Sequence, residues 1–202
     1  MYAYGAWWTT FKKTAKMRYG LDLSDEECKH NRERFFELYA ELPNWHSKYK
    51  QMALMLGKVV SPNGRERRLP NIYSIDDSQA QAAEREAINS PVQGFASDIT
   101  LSSAVDIYNK YIKDKPLGYE IEIIITVHDA IFFEIDEDKL DKWIPIIKKE
   151  MEDKNRLKDW YGVDFTLPII ADIAIGKHWG YNQELTIEEI KNIKDFDLTQ
   201  LK

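Results

Sequence analysis

His128 and Asp129 are the pair in this sequence best placed to do chemistry, because they interrupt the otherwise apolar stretch EIEIIITVHDAIFFEI at 120–135. An aspartate held rigidly at the end of a sheet could ligate a hard metal ion. Ile121 to Val127 and Ala130 to Ile135 each have strand length and a β-branched and aromatic composition. Only two residues separate them, which predicts a β-hairpin with His-Asp at its tip. Two-residue hairpin turns usually require positive φ, so Asn-Gly or a similar pair is the expected filler. His-Asp is a poor choice for turn geometry alone, and residues that break a local rule often sit where function demands them. Taken by itself the pair has two readings: a metal-binding carboxylate, or an ordinary turn aspartate beside an incidental histidine.

The composition narrows the setting. The 202 residues make one sizeable domain, or a domain with an appendage, and 44% hydrophobic content with six Trp is ample for a packed core. No run approaches the roughly 18 to 20 apolar residues that a membrane span needs. The opening MYAYGAWWTTFKK lacks the layout of a secretory signal. Cys28 is the only cysteine, which excludes an internal disulfide and a cysteine-rich zinc site, so an intracellular protein is expected. A net charge of −6 argues against a protein that simply coats nucleic acid. Basic residues are nevertheless concentrated locally, at Lys12, Lys13, Lys16 and Arg18 and again at Arg65, Arg67 and Arg68.

The elements that must position these residues follow in order. A helix is expected from about Trp7 to Tyr19, ending near Gly20. Ser24 and Glu27 have capping-box spacing and open a helix through Phe35, Leu38 and Tyr39 that Pro43 interrupts. The stripe Trp45, Tyr49, Met52, Leu56 makes the next helix, ended by Gly57. Lys58 to Val60, SPNG and RERRLP read as a strand, a turn and a basic arm. Asp77 or Ser78 can cap a helix running toward Asn89, with a boundary or kink at Pro91. Helix resumes at Ile99 with Leu101, Ala104, Val105, Tyr108 and Ile112 as its apolar stripe. After the hairpin, Asp136 can cap a helix with the stripe Leu140, Ile144, Ile147 and Met151. A last strand alternates through Leu167, Ile169, Ala171, Ile173 and Ile175, and Thr186 with Glu189 opens a short polar helix. Helices followed by β-β-α-β predict an α+β fold with helices packed on an antiparallel sheet.

Three blocks occur together: GRERRLPNI (64–72), AEREAINSPVQGFASDI (83–99) and VHDAIFFEI (127–135). In this order they resemble the C-terminal palm segment of the family A, bacterial DNA polymerase I-like, enzymes, which include many phage replicative polymerases. Tyr4-Gly5 is similar to the end of the family's fingers-helix motif, and LPIIADIAIGKHW (167–179) to its last strand, with Gly176 and Trp179 in place. The resemblance covers roughly residues 1 to 182. It implies an incomplete, palm-type sheet domain, with 1–20 as the end of the fingers helix, 21–182 as the C-terminal palm segment and 183–202 as an unassigned tail.

The resemblance also implies roles. Asp129 matches the carboxylate that binds catalytic Mg²⁺, two of which activate the primer 3′-oxygen and stabilise the leaving pyrophosphate. His128 matches a catalytic-site residue against the primer terminus. Arg85, Asn89 and Gln93 match helix residues that touch the primer-template minor groove. They recur every four residues, and minor-groove acceptors are nearly the same for every base pair, so such contacts can check pair shape without reading sequence. Tyr4 matches a residue beside the incoming deoxynucleotide, and Arg65, Arg67 and Arg68 fall in an arm that would contact phosphates. Singly, each has an ordinary structural reading: a solvated helix face, a cap before Pro91, a core tyrosine, a surface charge run. Their joint occurrence favours the family.

The family's second metal carboxylate, and the Arg and Lys that hold the nucleotide phosphates, precede the position of Tyr4-Gly5. They are expected from a separate N-terminal polypeptide, as in a split phage gene or an incomplete reading frame. Docking would use the exposed palm-sheet edge and the apolar start around Trp7 and Trp8. Ala130 stands where the family commonly has a glutamate after the aspartate, and Glu84, Asp98, Glu134 and Asp172 match no metal position. The expected protein is thus the C-terminal part of a DNA-directed DNA polymerase in the cytoplasm of a bacterium or phage-infected cell, with no membrane partner. The alternatives are a catalytically inactive DNA-binding remnant and, far behind, a His-Asp metal phosphohydrolase, for which the four histidines lack ligand-like spacing.

Overall fold

A computed structural model describes residues 1–197, 199 and 201, so part of the unassigned tail (198, 200 and 202) lies outside the described residues. The chain divides into two compact units, residues 1–95 and 96–202.

In the first unit a 3-10 turn, Tyr2–Tyr4, precedes α1 (Trp8–Tyr19), α2 (Asp25–Leu38) and α3 (Glu41–Leu56). The Ser24–Glu27 capping box is formed in both directions, which satisfies two backbone donors that would otherwise be orphaned. Pro43 does not close α2. It sits in the first turn of α3, where its missing N–H costs nothing. Gly57 ends α3 at φ 64, a left-handed value that a side chain would resist. Strands β1 (Lys58–Val60) and β2 (Glu66–Arg68) pair antiparallel, so the basic arm is itself a strand. Ala53, Val59, Leu69, Ile72, Ala83 and Ala87 form the core between these elements. Tyr2 is buried among Phe11, Phe35 and Phe36 and donates its hydroxyl to the carbonyl of the fully buried Cys28.

Helix α4 (Asp77–Ile107) starts in this unit and runs unbroken through Pro91. The boundary that Pro91 could have marked is absent: proline removes one N–H from the ladder but does not end a helix whose neighbouring turns are packed, and Pro91 is fully buried. Asp76, rather than Asp77 or Ser78, caps it, its carboxylate accepting from the Ser78 N–H at 2.8 Å.

The second unit holds the end of α4, a π-helical turn (Tyr108–Ile112), the hairpin β3 (Ile121–Val127) and β4 (Ala130–Ile135), α5 (Leu140–Glu152), α6 (Asn155–Tyr161), β5 (Ala174–Ile175), β6 (Gln183–Glu184) and α7 (Ile187–Lys191). The hairpin has the expected bounds and a bulge between Ile123 and Ile125. Asp136 makes no side-chain cap, and a 3-10 turn leads into α5 instead. The α5 stripe packs as expected, Ile147 and Met151 on the cluster of Ile107 and Ile121 and Leu140 and Ile144 on a second one, and Trp143, outside that stripe, is buried beside Ile147. The stripe expected on the last turns of α4 packs only in part. Ala104 is buried and Ile112 packs on the Ile107 cluster, but Leu101, Val105 and Tyr108 are exposed, whereas Ser102 and Ser103 are buried. A buried arginine, Arg156 on α6, explains the inversion, since it takes the two serine hydroxyls as acceptors.

The last strand is shorter than its alternation predicts, because alternation reports burial of one face whereas a strand also needs a ladder partner. Among the described residues only Gln183 and Glu184 pair with it, opposite Ile175 and Ala174. Upstream, side chains of α5 take the backbone groups instead: Lys148 donates to the Ala171 carbonyl and Glu152 accepts from the Ala171 N–H. The architecture is a mixture of helices and small antiparallel sheets, an α+β arrangement with the His-Asp hairpin in the second unit.

Candidate active site

The two-residue turn is closed by His128 at φ 55, the one positive-φ residue other than glycine among the described residues. Histidine tolerates this left-handed region better than β-branched residues, but at a cost near 1 kcal/mol. Both His128 and Asp129 are exposed. The tip is tethered through the backbone, the Thr100 hydroxyl of α4 approaching the Asp129 carbonyl oxygen at 3.5 Å. Among the described residues no side chain pairs with the Asp129 carboxylate. A cleft of about 960 Å³ adjoins it, with Thr100, Asp129 and His178 among a largely apolar lining that includes Ile131, Ile147 and Ile173.

The first unit gathers the other matched residues along α4. Arg85, Asn89 and Gln93 lie at successive i, i+4 positions of a continuous helix, hence along one side of it. Arg85 and Gln93 are exposed. Asn89 is half-buried, and its side-chain oxygen and the neighbouring Ser90 hydroxyl are buried with no hydrogen-bond partner among the described residues. Gly5, next to the exposed Tyr4, lies so close to α4 that an added Cβ would meet the Ile88 side chain at 3.2 Å. At Gly94 an added Cβ would find Ser61 and Arg65 within 4.0 Å. Tyr4-Gly5, the minor-groove candidates and Arg65 thus collect on residues 85–94. Arg67 pairs instead with Glu86 of α4, and Arg68 is exposed on β2. Beside it, a hydrogen bond from Lys58, aided by the charge of Arg68, holds the Glu66 carboxyl below its ordinary value.

Among the described residues no three His, Cys, Asp or Glu side chains gather as a complete metal site. Asp129 has the hard oxygen donors that Mg²⁺ prefers and an open approach, so it fits as one ligand of a shared site and not as a whole one. Of the other carboxylates, Glu84 pairs with Lys50 at 2.7 Å and Asp98 is buried, whereas Glu134, opposite Glu122 on the hairpin, and Asp172 line the same cleft as Asp129. Trp7 and Trp8 at the start of α1 carry Arg32 and Lys29 of α2 over their rings.

Sequence reasoning missed the polar network behind the cleft. Arg156 donates to Ser102 at 3.1 Å, Ser103 at 2.6 Å and the Glu150 carbonyl at 2.6 Å. The Glu150 carboxylate accepts from Lys110 at 2.6 Å and Tyr111 at 2.8 Å. A lone arginine in a seven-residue helix carries no periodic signal, and two serines on a helix read as a solvent face.

These placements can be set beside known proteins. The DNA polymerase of Bacillus phage SP01 is 32% identical over 172 residues, covering 85% of this chain and 18% of the phage protein. The thermostable DNA polymerase I of Thermus filiformis is 29% identical over 147 residues, 73% of this chain and 16% of that protein. Among solved structures, the POL domain of Pol1 from M. smegmatis, in complex with DNA primer-template and dNTP, superposes with a TM-score of 0.65 at 28% identity, covering 77% of this chain and 25% of that one. The chain thus spans less than a fifth of the length of these curated relatives. No helix of the described residues is long and apolar enough to cross a membrane. Because the family model for DNA polymerase family A matches residues 2–181, a span that holds the hairpin tip and every matched residue of α4, this chain belongs to DNA polymerase family A.

Proposed function

We propose that this chain is the C-terminal part of a DNA-directed DNA polymerase, and that it contributes Asp129 as a metal carboxylate and α4 as a primer-template surface for nucleotidyl transfer. The observation that carries the reading is the tip itself: an exposed carboxylate with no protein partner among the described residues, beside a histidine in a left-handed conformation. In this reading Asp129, together with a carboxylate from outside these residues, would hold Mg²⁺, which would supply activation of the primer 3′-hydroxyl and neutralisation of charge on the leaving pyrophosphate. His128 orients the primer terminus. Arg85, Asn89 and Gln93 hold the minor groove of the terminal base pairs, Tyr4 lies against the incoming deoxynucleotide, and Arg65, Arg67 and Arg68 take phosphates. The second carboxylate and the nucleotide-phosphate cations come from a separate N-terminal polymerase polypeptide that docks on the sheet edge and near Trp7 and Trp8. The pair acts in the cytoplasm of a bacterium or a phage-infected cell.

The test is primer extension with Mg²⁺, by this chain alone and mixed with the product of the reading frame just upstream. Extension is expected only in the mixture, and Asp129→Asn should lower it by about a thousandfold or more, the scale of several kcal/mol of metal-assisted stabilisation. Ala130, where a glutamate is usual, and the lack of a three-ligand cluster among the described residues favour a second reading, a DNA-binding remnant. That reading predicts no extension from the mixture, together with primed-duplex binding that Asp129→Asn leaves unchanged. In either case Arg68→Ala should reduce the dependence of log Kd on log salt by roughly one unit, the signature of one lost phosphate contact.

A further inference from the structure

Residues 183–197 lie beyond the family-matched span of 2–181, yet they are built into the second unit. Strand β6 pairs with β5, and the Leu185 N–H donates to the Ile173 carbonyl at 2.8 Å. Helix α7 is five residues long and would not persist alone. It is capped by a complete Thr186–Glu189 box, and Leu185, Ile190 and Ile193 pack on Ile144 of α5. Lys194 reaches Asp141 of the same helix at 3.3 Å. The loop between β5 and β6 is tight, because a Cβ on Gly176 would come within 2.2 Å of the Tyr181 carbonyl oxygen. This loop carries Trp179, whose ring stacks on Phe132 of β4 with centroids 4.4 Å apart and planes 9° from parallel. Phe132 is three residues from Asp129, and His178 of the same loop lines the cleft with Asp129.

We infer that residues 183–197 are a clasp: by fastening the 176–182 loop to α5, they hold Trp179 against Phe132 and so fix the position of the His128-Asp129 tip. A hairpin of two strands is marginal by itself, and its tip is tied to α4 through one long hydrogen bond to a backbone oxygen. The stacked tryptophan is a second fastening, made by a loop that two residue pairs of β5–β6 alone would hold poorly. Residues 183–197 are in this account positioning residues, and their bearing on catalysis rests on the polymerase reading.

Hydrogen exchange on the full chain tests the clasp without any reference to DNA extension, so failure of the polymerase reading would leave its result intact. Ile190→Asp with Ile193→Asp should release α7 and speed exchange of the hairpin amides at 125–132 by about tenfold, as local opening becomes easier. Trp143 and Ile147 keep α5 anchored on Ile107 and Ile121, so α5 amides should change little. Ile190→Val with Ile193→Val should restore slow exchange at the tip. Release of the α7 amides with the hairpin unchanged would overturn the clasp. Should the aspartate variant unfold α5 as well, Trp179→Ala decides: a faster tip with α7 still protected supports the clasp, and an unchanged tip overturns it.

Discussion

The hairpin tip and the Arg156 network lie in the same unit and treat charge in opposite ways. Arg156 is buried and held by partners: Ser102, Ser103, the Glu150 carbonyl and, at 4.0 Å, Asp106. Burial lowers the pKa of its guanidinium, with Asp106, Asp153 and Glu150 acting against that shift. Asp129 is exposed, and no side chain among the described residues meets its carboxylate. A buried ion must be matched from within, since an unmatched one costs several kcal/mol. A carboxylate in water has no such need. What the tip fixes is position, through the backbone, and this is the arrangement expected of a group kept for a ligand from outside the chain.

The largest effect should come from breaking the matched side of this comparison. Arg156→Met should destabilise the second unit by about 3 kcal/mol, because the Glu150 carbonyl and the Ser102 and Ser103 hydroxyls lose their donor and Asp106 loses an ionic partner. Asp129→Asn should change stability by no more than about 0.5 kcal/mol, while removing the proposed metal ligand. Urea unfolding of both variants makes the comparison, and equal losses would erase the distinction between the two regions.

A smaller effect is expected from pH. Burial pushes the Glu150 carboxyl up, but the hydrogen bonds from Lys110 and Tyr111, with the charge of Lys110, outweigh it and leave the group below its ordinary value of 4.5. A carboxyl whose folded pKa is depressed stabilises the fold fully above the unfolded value, and that stabilisation is lost as the pH falls through the folded value. Denaturant midpoints should therefore drop as the pH is taken below about 4.5, and Glu150→Gln should flatten that part of the curve. A Glu150→Gln variant that kept the full drop would place the coupled charge outside this network.

The same contrast explains what could be read from the sequence. Hairpin bounds follow from composition and from two residues between two apolar runs, and the Ser24 and Thr186 boxes follow from spacing, because each is fixed by near neighbours. The matched positions on α4 follow from contiguous motifs. What the sequence concealed depends on distant partners. The unbroken course of α4 through Pro91 needs its tertiary packing, the exposure of Leu101 and Val105 follows from Arg156 being buried beside Ser102 and Ser103, and the short last strand follows from which segments can pair with it. The burial of Arg156 is set by residues about fifty positions away, which no local pattern encodes.

The smallest prediction probes the strain that the tip retains. A left-handed conformation costs a side-chain-bearing residue roughly 1 kcal/mol, and glycine relieves it while adding back roughly 0.5 kcal/mol of unfolded-state entropy. His128→Gly should therefore stabilise the hairpin by about 0.5 kcal/mol, and His128→Ala, which keeps a Cβ at φ 55, should give no gain. In the complemented extension assay both substitutions should slow the reaction, since both remove the imidazole. Stability rising while extension falls would mark His128 as retained for its contact with the primer terminus at the expense of the turn. A loss of stability on His128→Gly would instead show that the imidazole contributes to holding the hairpin, and would move His128 to the structural side of the comparison with Arg156.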